Sequence, residues 1–358
     1  MDDLLRISDI LKKYKEEKYK SNHNDEKKPA PEEANLRQKP HISIYSAVAK
    51  DLGENQETNI NAQALYDEAL SRIKEIYTRG ETKKTNGDFY SLVLPTIEKL
   101  ADALIAGNRE LLRYSLSDYS QMSEYLFAHP VNVCIISLYL AIGLDYPRSR
   151  LIELGISALI HDVGMPFYAQ IVNQGRILNN AEFARVKEHP QQGYDVLQEI
   201  GKGLSPIIYE TVRQEHERWN GSGYPLGLKA EQINPYAQVV GLVDVYEAMT
   251  HTRPYRRRHN AMEVIREILH HKDAFNSSYI KVLIERIGIF PVGWIVQLNT
   301  KEIAVVVKAN PRMPLRPVVD IVMDSSGKEL QTPKKINLAE DAAIYIEQCL
   351  ECLMVKNK

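Results

Sequence analysis

Apolar residues recur at helical spacing over most of the chain. Asn61–Tyr77 (NAQALYDEALSRIKEIY) carries them on one face, with Asn61 placed as an N-cap. Phe89–Ile105 and Glu110–Leu116 predict further helices, and GETKKTNGD predicts a loop before them. Val131–Leu144 is an apolar run. Leu151–Met165 (LIELGISALIHDVGM) is apolar for almost all of its first ten residues, reads as a helix buried on most sides, and ends at Gly164 and Pro166. Asn180 can cap a helix beginning Ala181-Glu182-Phe183, which must bend or stop at His189 because Pro190 follows. Ile207–Trp219 predicts a helix that Asn220-Gly221-Ser222-Gly223 breaks. Tyr236–Thr250 predicts another, followed by the basic residues Arg253 and Arg256–Arg258.

The pattern changes after about residue 288. Gly293–Val296, Glu302–Val307 and Val318–Met323 are short β-branched runs separated by Asn, Pro and Gly turns. They predict a small antiparallel sheet, and Leu338–Met354 predicts a helix closing over it. The expected fold class is mainly α: a helical domain over residues 60–287 with a minor β subdomain over 288–358. Before it, Leu4, Leu5, Ile7, Ile10, Leu11 and Tyr14 have helical spacing, and residues 21–40 have the composition of a flexible linker. Residues 1–59 are therefore read as a leading helix and linker. Two roles stay open for that helix: contact with a protein partner or a second copy, or a loosely held tail.

Composition narrows the field only a little. With 358 residues the chain can bury one large core or two modest ones. Forty-five basic and 47 acidic residues leave a net charge of −2, which suggests neither a long nucleic acid nor a membrane as partner. No apolar run approaches the roughly 20 residues of a membrane span. The start has no apolar stretch of the signal-peptide kind, and three cysteines make no disulfide framework, so a cytoplasmic setting is expected. Cys349 and Cys352 form a lone CxxC, read as a coincidence on one helix face.

The chemistry gathers around His161-Asp162. Adjacent imidazole and carboxylate at the end of a buried helix need partners, because an unpaired buried charge is prohibitive. Taken alone, the dipeptide is a hydrogen-bonded core pair as readily as a pair of metal ligands. Isolated ligand types recur, however, on four other segments: His129, His189, Glu215-His216 and Asp244. Asp244 interrupts the apolar stretch Val239–Val245. Imidazoles mixed with carboxylates suit iron, manganese, zinc and related ions. They could hold one metal, or a pair bridged by Asp162 of the kind typical of phosphoester hydrolysis. His251, His259, His270 and His271 lie among basic or surface-like residues and are left out.

This order of motifs, with Gly223-Tyr224-Pro225 between Glu217 and Asp244, resembles the HD-GYP family of HD-domain phosphohydrolases. ERWNGSGYP is similar to the family's HHExxDGxGYP segment, and DVYEAMTHTRPYR to its DxYDALTxxRPYR segment; the resemblance runs over roughly residues 60–336. It implies an α-helical HD-type fold and hydrolysis of cyclic di-GMP to pGpG and onward to GMP. It also implies two divalent transition-metal ions, iron or manganese. Carried over by position, His129, His161, Asp162 and Asp244 would hold one ion, and Asp162 would bridge to a second on His189, Glu215 and His216. His161 and Asp162 would be at the centre of catalysis. Gly223, Tyr224 and Pro225 would shape the pocket, and Arg253 and Arg256 would contact phosphate. Three positions depart from the family: Met165 stands where a lysine follows HDxG, Glu215 where a histidine precedes His216, and Asn220 where DGxGYP has aspartate. Tyr125 occupies the position of the glutamate found in members with three metals. The alternatives are a weakly catalytic cyclic di-GMP receptor that signals to a partner, and a hydrolase of another cyclic dinucleotide.

Overall fold

The computed structural model describes residues 61–82, 89–116, 125–174, 176–252, 259 and 261–352. The expected leading helix, its linker, Arg253 and Arg256 lie outside these residues. The helical part runs through α1 (Ala62–Thr82), α2 (Phe89–Ile105), α3 (Arg109–Leu116), α4 (Tyr125–Gly143) and α5 (Arg148–Ile160). It continues with α6 (Ala169–Val172), α7 (Asn180–Val186), α8 (His189–Ile200), α9 (Pro206–Gln214), α10 (Pro235–Thr250), α11 (Ala261–His270) and α12 (Ser277–Ile287). Among the described residues no strand interrupts this series.

Helix α4 is the hub, packed against α1, α2, α3, α5, α10 and α12. Val131, Val133, Ile135, Ile136, Leu138 and Leu140 are all fully buried, so apolar residues leave every side of the helix. Its segment Leu126–Gly143 is long and apolar enough to cross a membrane, which the sequence reading missed. In the fold 72% of that segment is buried against other helices. Helix α10 is similarly enclosed, with Val239, Val240, Leu242 and Val243 out of contact with solvent.

Local signals set several boundaries. The Asn61 side chain accepts from the Ala64 amide at 3.2 Å and caps α1. The cap of α7 is Asn179 rather than Asn180, in a reciprocal capping box with Glu182. The chain does stop before Pro190: α7 ends at Val186, and His189 opens α8 with the proline in its first turn, where the missing N–H costs nothing. Helix α9 ends at Gln214, earlier than expected, so Glu215 and His216 sit just past its C-terminus.

Beyond α12 the chain forms one antiparallel sheet: β1 (Trp294–Leu298), β2 (Ile303–Lys308), β3 (Val318–Met323), β4 (Glu329–Asn337) and β5 (Ile346–Cys352). The spatial order is β4-β3-β2-β1-β5. Val296 pairs with Ala304 and Val306 with Val319, and these four side chains help form a second, smaller core with Phe290, Trp294 and Leu338. The expected closing helix over Leu338–Met354 is not there. Its second half is strand β5, which pairs with β1 and places Cys349 opposite Val296 and Cys352 opposite Trp294. The CxxC therefore lies on a strand and not on a helix face. The free edge of β1 supplies the reason: its backbone groups need a partner, and β5 satisfies them.

Candidate metal centre

Five segments converge at one end of the α4–α5–α10 core. His129 comes from the first turns of α4, His161 and Asp162 follow α5, and His189 begins α8. Glu215 and His216 follow α9, and Asp244 lies within α10. All but His216 are buried. Two groups of three have donor atoms within 4.8 Å of one another: His129, His161 and Asp162 form one, and His189, Glu215 and His216 the other.

The Asp162 carboxylate spans the two groups. Its Oδ2 lies 3.6 Å from His129 Nε2 and 3.5 Å from His161 Nε2, whereas its Oδ1 lies 3.3 Å from His189 Nε2. Asp244 reaches both sides as well, with Oδ1 3.1 Å from His129 Nε2 and Oδ2 3.9 Å from His216 Nδ1. Glu215 closes the second side at 3.4 Å from His189 Nε2, and its other oxygen is 3.7 Å from His161 Nε2.

Backbone carbonyls fix the imidazole orientations. His161 Nδ1 donates to the Ala158 carbonyl and His189 Nδ1 to the Val186 carbonyl, both at 2.8 Å. In each ring this turns Nε2 toward the centre as the available lone pair. His129 is oriented by a carboxylate: its Nδ1 donates to Glu247 Oε2 at 2.5 Å. Glu247 is fully buried, also accepts from Asn132 Nδ2 at 3.0 Å, and lies 3.4 Å from the ring of buried His251. The sequence reading missed Glu247 and set His251 aside as surface-like. The available signal was spacing: Glu247 is one turn after Asp244, and His251 one turn after Glu247, on an otherwise apolar helix.

Two glycines bring the segments this close. A methyl group on Gly164 would sit 2.1 Å from the His189 carbonyl oxygen and 2.6 Å from the Gly193 nitrogen, so only glycine lets α8 approach the His-Asp turn. At Gly223 it would sit 2.3 Å from Glu217 Cα, where the Gly-Tyr-Pro loop lies on the backbone after His216. Buried Glu217 holds that loop by accepting from the amides of Leu226, Gly227 and Leu228 at 2.6, 3.1 and 3.0 Å. Tyr224 stacks on His216 with ring centroids 4.8 Å apart, and the Lys187 ammonium lies 4.8 Å from the Tyr224 centroid. The Tyr224-Pro225 peptide is cis, and Pro225 is exposed. Met165 opens the short 3-10 turn after the His-Asp pair and is half-buried.

The donor set fits metal ions. His161 Nε2 and Glu215 Oε2 are buried with no hydrogen-bond partner, a costly arrangement that a cation between them would relieve. Burial works against a charged His161, but the Glu215 and Asp162 carboxylates carry its pKa well above the usual imidazole value. Burial also opposes ionisation of Asp162, yet His161, His189 and His129 hold it well below the usual carboxylate range. Burial pushes His216 down to about 4, leaving it neutral at pH 7.

Comparison with known proteins agrees with this architecture. Residues 109–276 match the family model described as HD domain, and residues 295–358 the one described as KOW domain associated with HD domain. A cyclic di-GMP phosphodiesterase of Pseudomonas aeruginosa is 34% identical over 219 residues, covering 61% of this chain and 51% of that protein. The cyclic di-GMP phosphodiesterase PdeB of Borreliella burgdorferi is 28% identical over 54% of this chain and 52% of its own length. The 3'3'-cGAMP-specific phosphodiesterase 1 of Vibrio cholerae is 30% identical over 41% of this chain and 34% of its own length. A solved HD-GYP-type structure from Bdellovibrio bacteriovorus has the same fold, at a TM-score of 0.51 and 17% identity over 67% of this chain and 76% of that one. A helical HD domain followed by the small domain that accompanies it is the arrangement that these matches describe. An HD domain implies divalent-metal binding. The chain spans about half the length of the first two relatives.

Two predictions follow from the geometry. The Glu215 and Asp162 carboxylates that raise the His161 pKa make its proton harder to remove than that of an ordinary imidazole, and a cation must displace it. Affinity for Mn²⁺ should rise with pH, and protons should be released into weakly buffered solution at pH 7, with less release above the raised pKa. Metal uptake with no proton release at pH 7 would contradict this. Glu247→Ala should weaken metal retention against a chelator by about 10–100-fold with circular dichroism unchanged, because His129 loses its orienting carboxylate. Wild-type retention in that variant would remove Glu247 from the account.

Proposed function

We propose that this chain is a metal-dependent phosphodiesterase that opens a cyclic dinucleotide, cyclic di-GMP first, to linear pGpG and onward to GMP. The observation that carries the reading is the Asp162 carboxylate facing two separate groups of imidazoles, one from each oxygen. His129, His161, Asp162 and Asp244 would hold one divalent ion, and Asp162, His189, Glu215 and His216 a second. Iron and manganese suit such a mixed set. Bound there, the ions supply Lewis acidity at phosphorus and an activated water at neutral pH.

The chain's own groups do the rest. The carbonyls of Ala158 and Val186 and the carboxylate of Glu247 keep three imidazoles aimed at the centre, so no reorganisation is needed when substrate arrives. Tyr224, stacked on His216, gives the pocket an aromatic wall, and Gly223 and Pro225 set the path of that loop. Lys187 puts a positive charge beside the wall, near a site where Met165 supplies none. Arg253 and Arg256 are the forked donors for the phosphates. The names of the relatives support the substrate class, two being cyclic di-GMP phosphodiesterases and one specific for 3'3'-cGAMP.

The test is purified protein loaded with Mn²⁺ or Fe²⁺ and incubated with cyclic di-GMP, 3'3'-cGAMP and cyclic di-AMP, with products resolved by chromatography. The expected result is a linear dinucleotide from cyclic di-GMP. Binding of cyclic di-GMP to metal-loaded protein without any linear product would replace the enzyme by a receptor. Met165→Lys should raise kcat more than it changes KM, since a single charge-stabilising donor contributes about 10²–10³-fold at other sites. A lower or unchanged kcat in a folded variant would show that Met165 does not limit the rate.

A further inference from the structure

A cavity with a basic rim lies away from the metal centre, where the helical part meets the sheet. Its volume is about 120 Å³, and it is walled by α3, α12 and the end of β2. Four cations line it, Arg109, Arg113, Arg286 and Lys308, against one carboxylate, Glu285. Glu285 already pairs with Lys281 at 3.8 Å, and Arg113 with Glu110 at 2.6 Å. Among the described residues Arg109, Arg286 and Lys308 have no carboxylate partner. The lining therefore carries an excess of positive charge.

Arg286 is the most constrained of the four. Its guanidinium lies 4.2 Å from the centroid of Tyr139, and its Nε is buried without a hydrogen-bond acceptor. Its stem lies on the backbone of α4, where a methyl on Gly143 would come within 2.8 Å of Arg286 Cδ. Helix, aromatic ring and glycine thus hold a forked guanidinium in place at the cavity wall. Guanidinium groups seated on aromatic rings match phosphate oxygens in geometry and charge. The space is large enough to admit a phosphoryl group.

We propose that this cavity binds a phosphate group, either free or as the end of a small phosphate monoester, joining Arg113 and Arg286 of the helical part to Lys308 of the sheet. The proposal depends on neither the metals nor turnover. The test is calorimetric titration of the full metal-loaded chain with inorganic phosphate and, in a second arm, GMP. Wild type, Arg286→Met and Lys308→Ala are compared, with circular dichroism and metal content as controls. Phosphate can also bind at the metals, so the expected signature is one binding event weakened about tenfold or more in both variants while metal content stays the same. Lys308 is exposed at a strand end, so its variant reports even if Arg286→Met fails to fold. Binding of both ligands assigns the ester phosphate, and binding of inorganic phosphate alone assigns the free ion. Phosphate binding unaltered by Lys308→Ala, or absent from wild type, overturns the proposal.

Discussion

A single carboxylate, that of Asp162, faces imidazoles on both sides from a buried position, and the surrounding architecture answers to that constraint. A carboxylate out of water is tolerable only with cationic partners close by. Here the partners come from α4, the turn after α5 and the start of α8. Without metal, the surrounding imidazoles hold the Asp162 carboxyl well below the usual carboxylate range. A divalent ion on each side would supply positive charge more completely, and it would also give a partner to the buried His161 Nε2 and Glu215 Oε2.

Holding these groups so close requires a frame that does not yield. The two helices that carry His129, Asp244 and Glu247 are apolar on nearly all sides, so the polar end of each is fixed by packing along the rest of its length. Glu247 extends that rigidity into the site by accepting from His129 and Asn132 at once. Gly164 removes the side chain that would keep α8 at a distance. Fold and chemistry meet in these contacts: the helical core sets where the donor atoms point, and their spacing sets what they can hold.

Much of this can be read from the sequence, for physical reasons that also explain the misses. Helices such as Phe89–Ile105 and Tyr236–Thr250 bury a continuous apolar surface, and periodicity reports that directly. The seven site residues stand out because polar side chains in apolar segments are costly. Glu247 stayed hidden because its partners His129 and Asn132 lie on α4, which a linear reading does not bring together, and His251 because its partner is Glu247 itself. Strand β4 (ELQTPKKIN) is polar, contains Pro333 and forms an edge, so it has no alternating apolar signal. Strand β5 (IEQCLEC) has apolar residues that fit a helix as well as a strand, and the unpaired edge of β1 decides between them. Met165 and Glu215 were visible as departures, but only the structure places Lys187 beside Tyr224.

The central claim is that one carboxylate couples two metal ions. It is tested most directly by electron paramagnetic resonance of the Mn²⁺-loaded chain together with elemental analysis of the same sample. The account predicts two manganese ions per chain and the spectrum of an exchange-coupled pair, since ions bridged by a carboxylate lie about 3.5–4 Å apart. One ion per chain, or two ions giving only the hyperfine pattern of isolated Mn²⁺, would contradict it.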